Sequence, residues 1–129
     1  LHLIIPAEAI LDHAESVQKL RLAGCRIVLS QVGRDLQIFN SLKANMADYL
    51  LLDGELCANV QGNLMDEMLI TIIQGHAQRL GMKTIAGPVV LPLVMDTLSG
   101  IGVDLIYGEV IADAQPLDLL VNSSYFAIN

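Results

Sequence analysis

The sequence predicts an α/β fold in which parallel strands alternate with helices, and three observations predict it. An amphipathic stretch runs through a Gly turn into a short apolar segment three times, at Leu22-Ala23-Gly24-Cys25-Arg26-Ile27-Val28-Leu29, Leu80-Gly81-Met82-Lys83-Thr84-Ile85-Ala86 and Gly100-Ile101-Gly102-Val103-Asp104-Leu105-Ile106. This is the helix-to-strand half of a crossover unit. Apolar residues make up 53% of the chain and charged residues 16%, which suits strands buried on both faces. A chain of 129 residues is long enough for one domain with a real core.

The elements follow in order. Leu1–Ile5 reads as a strand, and Pro6 stops it and suits the first turn of a helix. Ile10, Leu11, Ala14, Val17 and Leu20 recur at helical spacing up to Gly24. Arg26–Ser30 is a second strand and Asp35–Lys43 a shorter helix, with Leu36, Phe39 and Leu42 on one face. Asp48–Asp53 is a nearly continuous apolar strand, followed by an irregular or single-turn segment, Gly54–Gln61. Asn63–Leu80 is the longest helix, with Met65, Met68, Leu69, Ile72, Ile73 and Leu80 as its expected buried stripe and Gly81 as its cap. Lys83–Ala86 is a strand, and Leu91, Val94, Met95 and Leu98 mark a helix ending near Gly100–Gly102. Asp104–Tyr107 is the last strand, Pro116–Leu120 a short helix and Asn122–Asn129 a tail. Five strands and four helices joined by right-handed crossovers make either an open parallel sheet or part of a (β/α)8 barrel. A whole barrel takes ~250 residues, so this would be about half of one.

Composition excludes several functions. The net charge is −7, and the 7 Lys and Arg residues are scattered, so direct nucleic-acid binding, which needs phosphate neutralisation, is not expected unless folding assembles a basic patch. No apolar run approaches the ~20 residues of a membrane span. No leader peptide is visible, and a start at Leu1 suggests a fragment of a longer chain. Cys25 and Cys57 are far apart and read as buried free thiols of a reducing compartment.

The chemistry-bearing residues are sparse. His2, His13 and His76 are far from one another, and no spacing matches a zinc site. His76 lies on the apolar stripe and is expected to be a packed core histidine. Gly100-Ile101-Gly102 lacks a third glycine and precedes a strand, so it is a cap and turn rather than a phosphate loop. No nucleophile elbow occurs, and Asp66 and Glu67 open a helix, where acids favour the dipole. Parallel folds place their chemistry at the carboxyl ends of the strands. Those ends read Ser30-Gln31-Val32, Leu51-Leu52-Asp53 and Gly87-Pro88-Val89, with Asp53 the one acid among nine positions.

At Asp48-Tyr49-Leu50-Leu51-Leu52-Asp53 the chain resembles the EAL domain, the barrel phosphodiesterase of bacterial cyclic-di-GMP signalling, whose strand reads D-Y-L-K-I-D. The likeness runs over essentially the whole chain, against the C-terminal half of that domain. The long helix ends Arg79-Leu80-Gly81 as in the family, the family's V-I-A-E-G-V-E-T stands as Thr84 to Leu91, and its L-G-x-D-x-x-Q-G-Y as Ile101 to Glu109. The closing P-L-P region survives as Gln115-Pro116-Leu117. The resemblance implies the C-terminal part of a TIM-like (β/α)8 barrel, with residues 1–129 as one partial domain.

The same resemblance locates the family's site and finds it degenerate. The metal-binding Glu of L-E-I-T-E stands as Ile4, the paired aspartates of D-D-F-G as Ser30 and Gln31, and the catalytic Lys as Leu51. The Glu after the A-E-G strand stands as Gly87 and the second Glu as Val90. Of the positions at the family's site, Asp53 and Gly108 stand where the motif has them. Two-metal phosphodiester hydrolysis needs several carboxylates to hold two ions, so no catalysis, metal or cofactor is expected. The resemblance implies a catalytically inactive regulatory module that binds a protein partner, and also the N-terminal half of its own barrel. Within the degenerate members the chain looks most like tandem GGDEF–EAL regulators, of the carbon-storage RNA-turnover or MSHA pilus biogenesis type, on the cytoplasmic side of an inner-membrane anchor. The alternative is a non-hydrolysing cyclic-di-GMP receptor using a loop at Arg34 and Asp35, although the lost charges argue against that ligand. Unpaired outer strands of a half-barrel would favour a homo-oligomer.

Overall fold

The computed structural model describes residues 1–33 and 35–108. Its five strands are β1 (His2–Pro6), β2 (Arg26–Val32), β3 (Tyr49–Leu52), β4 (Lys83–Ala86) and β5 (Leu105–Ile106). All neighbouring strands are parallel, and their spatial order is their chain order. That order decides between the two architectures left open by the sequence. A doubly wound sheet reverses direction at a switch point, whereas here every crossover steps to the next neighbour the same way, as in a barrel. The described residues form a five-stranded arc of a (β/α)8 barrel.

The crossovers are α1 (Ala7–Ile10) with α2 (Ala14–Leu22), a 3-10 turn (Leu36–Asn40), α3 (Gly54–Ala58) with α4 (Leu64–Leu80), and α5 (Pro92–Ile101). Side chains alternate across each strand. Ile27, Leu29, Leu50, Leu52 and Ala86 join Ile70, Ile73, Ala77 and Leu98 of the helices in one core. The intervening residues Ile4, Val28, Leu51 and Ile85 face the lumen side. Ile4, on the outer strand β1, is 44% exposed, whereas Val28 and Ile85 are 1% exposed, because both have a strand on either side.

Two aspartates tie the amino ends together by the same device. Asp48, one residue before β3, accepts the Ile27 N–H at 2.8 Å and donates its own N–H to the Ile27 carbonyl at 2.9 Å. Asp104, one residue before β5, accepts the Thr84 N–H at 2.9 Å and donates its N–H to Thr84 Oγ1 at 3.1 Å. Arg21 of α2 pairs with Asp48 at 3.0 Å, and Thr84 donates to Gln74 of α4 at 2.5 Å. Asp48 therefore links two strands and a helix directly, and Asp104 links two strands and reaches α4 through Thr84. Burial would raise the Asp48 carboxyl pKa, but the Ile27 N–H and the Arg21 and Arg26 guanidinium groups outweigh it and hold it below the usual value of 3.8.

Several expectations are corrected. The helix expected over Ile10 to Leu20 is two helices, because Asp12 and His13 donate back to Ala9 and Ile10, the tight bonds that end an α-helix. Leu11 and Leu20 of the expected stripe are each 39% exposed. The helix expected over Asp35–Lys43 is a 3-10 turn of five residues. On α4, Met65, Met68 and Ile72 are 66%, 49% and 42% exposed, and the buried face is Asp66, Ile70, Ile73, Gln74 and Ala77. The Gln74–Thr84 bond places a polar residue in the core and sets the rotation of the helix. His76 is half-buried, and its ring stacks on Phe39 at 4.7 Å. Cys25 and Cys57 are free, with Cys25 half-buried rather than buried. The expected helix at Pro116–Leu120 lies outside the described residues.

Candidate functional site

A pocket of about 600 Å³ opens at the carboxyl ends of the strands. From β2 come Ser30 and Gln31, and from β3 come Leu51 and Leu52, followed by Asp53 and Gly54. Gly87 and Pro88 after β4 and Tyr107 after β5 complete it. A bulge brings the two β2 residues to the mouth. Leu29 pairs with Leu50, but Val32 pairs with Leu52, so β2 carries one extra residue there. Gln31 absorbs it with φ 61, a left-handed conformation uncommon outside glycine. Val32 thus returns to the core side, leaving Ser30 and Gln31 on the pocket.

Asp53 is exposed and caps α3, its Oδ1 accepting the Glu55 N–H at 3.1 Å. Gly33 sits against it, since a Cβ there would be 3.1 Å from Asp53 Cβ. Beneath the pocket Cys57 is fully buried. Burial pushes its thiol pKa up to about 11 and the Asp53 charge adds to this, while a Gly87 backbone bond opposes it. A thiol so protonated is a poor nucleophile. Tyr107 is shifted upward by burial and then by Cys57.

The segments after β4 and β5 are strapped together. Tyr107 donates its N–H to the Ala86 carbonyl at 3.0 Å, and its own carbonyl accepts from Val89 N–H at 2.9 Å. Gly87, at φ 154, lies under Tyr107, where a Cβ would be 2.6 Å from both the ring and the carbonyl oxygen. Gly108, at φ 135, lies against the Val89 backbone so closely that a Cβ would overlap it. Both positions therefore require glycine in this backbone.

Of the residues singled out from sequence, Ser30, Gln31, Leu51, Asp53 and Gly87 are brought together in the pocket. Ile4 is level with Val28 on the lumen side of β1 and does not line the pocket. Val90 is 57% exposed on the segment after β4, outside the lining. Gly108 belongs to the strap. Asp35 is exposed and caps the 3-10 turn, accepting the Gln37 N–H at 3.0 Å, while Arg34 lies outside the described residues. Tyr107 was missed, although it stands where the quoted motif has Gln, and that exchange was the available signal.

The donor set does not fit a pair of divalent ions. Among the described residues Asp53 is the pocket's one carboxylate, beside the Ser30 and Tyr107 hydroxyls and the Gln31 amide, and hard cations need several oxygen ligands. Among the described residues no group of three or more His, Cys, Asp or Glu could hold a metal.

The EAL domain pattern matches residues 1–114. The chain belongs to the EAL domain family. Cyclic di-GMP phosphodiesterase PdeF of Escherichia coli is 28% identical over 102 residues, which is 79% of this chain and 14% of that protein. The FimX EAL domain of Xanthomonas citri, solved in complex with c-di-GMP, superposes with a TM-score of 0.78 at 24% identity, over 87% of this chain and 46% of that one. The S helix-GGDEF-EAL unit of Vibrio cholerae LapD, bound to c-di-GMP, has a TM-score of 0.72 at 24% identity, over 86% of this chain and 28% of that one. This EAL chain thus spans about half the length of the FimX domain. Among the described residues no helix is long and apolar enough to cross a membrane.

Proposed function

We propose that this EAL chain is a non-hydrolysing regulatory module of c-di-GMP signalling that acts by binding a protein partner. The observation that carries this reading is the pocket at the strand ends, which has one carboxylate among the described residues and a Gly87 whose backbone admits no side chain. Ile4, Ser30, Gln31, Leu51, Gly87 and Val90 supply no charge for metal-assisted phosphodiester cleavage. The protein-partner half of the reading is supported by the outer face of α4, where Leu64, Met65, Met68 and Ile72 are 70%, 66%, 49% and 42% exposed. An uncharged apolar stripe of this kind on a domain surface is characteristic of interaction sites. In the same reading residues 1–129 are one partial domain, completed by the N-terminal half of its barrel. The parent is a tandem GGDEF–EAL regulator of the carbon-storage or MSHA type, anchored in the inner membrane.

A second reading, a c-di-GMP receptor that does not cleave its ligand, is favoured by the two relatives whose structures contain c-di-GMP. The expectation that this chain does not bind c-di-GMP rests on its lost charges alone, and those relatives lend it no support. Two measurements test the readings. Hydrolysis of c-di-GMP with Mg²⁺ or Mn²⁺ is expected to be absent, and turnover abolished by EDTA would overturn both. Calorimetry with c-di-GMP then separates them, a micromolar or tighter Kd establishing the receptor in place of the pure interaction module.

A further inference from the structure

We propose that the amino ends of the strands form an anion site for a phosphate-sized oxyanion, at the opposite end of the barrel arc from the pocket above and independent of its function. Basic residues that are scattered in sequence are gathered there by folding. A second pocket of about 430 Å³ opens between His2, Arg26, Asp48, Tyr49, Gly81 and Lys83, and Arg21 lies beside it through its bond to Asp48. The strand register produces the cluster. His2 pairs with Arg26 and Tyr49 with Lys83, and all four are in the lumen-facing phase of their strands. With strands about 4.8 Å apart and rising about 3.3 Å per residue, the Arg26 and Lys83 backbones are about 12 Å apart. Two long side chains close that gap onto one small anion.

The charges do not cancel. Among the described residues Asp48 is the one acid lining this pocket, and it is already engaged, with Oδ1 on Arg21 at 3.0 Å and Oδ2 on the Ile27 N–H at 2.8 Å. Arg26 reaches it only at 3.6 Å, with its side chain 63% exposed. The neighbouring acid Asp104 is bonded to Thr84 and does not line the pocket. Among the described residues Lys83 has no carboxylate partner. A structural staple needs one cation for Asp48, and Arg21 is that cation. Arg26 shares Asp48 with Arg21 through its longer ion pair and Lys83 has no such pairing, so among the described residues three cations face one anion and leave two positive charges in a chain whose net charge is −7. A guanidinium fork beside an ammonium group matches a tetrahedral dianion. The pocket exceeds the size of phosphate alone and leaves room for a small organic body attached to it.

The test is a titration of the 129-residue chain, followed by amide NMR, with inorganic phosphate and with glucose 6-phosphate, against chloride at matched ionic strength. Saturable shifts are expected at His2, Arg26, Tyr49 and Lys83. Phosphate affinity is expected to fall about tenfold in Lys83→Gln and in Arg26→Gln, and to be unchanged in Lys19→Gln, an exposed position on α2. Lys83 is also exposed, so an unchanged melting temperature of Lys83→Gln without phosphate separates lost binding from lost folding. Tighter binding of the sugar phosphate identifies an organic phosphomonoester as the ligand, and equal affinity identifies free phosphate. Shifts that do not saturate, that chloride reproduces, or affinities that neither variant changes would overturn the site.

Discussion

A glutamate introduced at position 87 should break the strap over the pocket rather than build a metal site. In Gly87→Glu the new residue must hold φ 154, which costs about 1–3 kcal/mol for a residue with a Cβ. Its Cβ would also be 2.6 Å from the Tyr107 ring and from the Tyr107 carbonyl oxygen. The ring could swing away. The carbonyl is fixed by the Val89 N–H at 2.9 Å, and the Tyr107 N–H by Ala86 at 3.0 Å, so backbone must move, at about 1–3 kcal/mol for overpacking. Together the loss is about 2–6 kcal/mol, a large part of the stability of a domain this size, and the Tm should fall by on the order of 10 °C. Urea and thermal unfolding followed by far-ultraviolet circular dichroism measure it. Gly75→Ala is the matched control. It lies inside α4 with nothing within 4 Å of a new Cβ and should gain about 0.5–1 kcal/mol. Gly87→Glu unfolding within about 1 kcal/mol of the parent, or acquiring Mg²⁺-dependent hydrolysis of c-di-GMP, would refute the argument.

The remaining predictions concern pH and thiol chemistry. Asp48 has a folded-state pKa below its unfolded value, so its stabilisation is complete above the unfolded pKa near 3.8 and is lost as pH falls through the lower, folded value. Acid titration of stability should therefore show a loss beginning below about pH 4 that Asp48→Asn flattens, while the variant costs about 1–3 kcal/mol at neutral pH. An unchanged acid limb in Asp48→Asn would count against the double link through Ile27 and Arg21. Cys57, buried with its thiol pushed up to about 11, should resist a disulfide reagent at neutral pH until the chain unfolds, whereas the half-buried Cys25 reacts in the native protein. Two rapidly reacting native thiols would contradict the burial of Cys57.

Much of this arrangement was legible in the sequence, for local reasons. Gly81 and Gly102 end α4 and α5 in the left-handed conformation, and a residue with that conformational freedom just after a helical period marks a helix end without knowledge of the rest of the fold. Strands β2, β3 and β4 were visible as apolar runs between turns, with β4 at Lys83–Ala86 as expected. The rotation of α4 was not visible. Met65, Met68 and Ile72 look like a buried stripe by polarity, but Gln74 is buried because Thr84, ten residues away, satisfies it. The break between α1 and α2 was hidden for a related reason, since an apolar period continues across residues 11–13 even though the backbone turns there.

The sequence by itself determined the alternation of strands with crossover segments, the scarcity of acids at the strand ends and the glycines that close α4 and α5, because each depends on the chemistry of neighbouring residues. Only the tertiary structure decided that the strands run in chain order around a barrel arc, which depends on pairings between residues 20 or more positions apart. It alone placed Tyr107 over Gly87 and so made that glycine a steric necessity. It also collected Arg21, Arg26 and Lys83 at one end of the sheet. Charge in a sequence is a sum, but its effect depends on distance, and a chain of net charge −7 can still present a positive pocket where folding brings its few cations together.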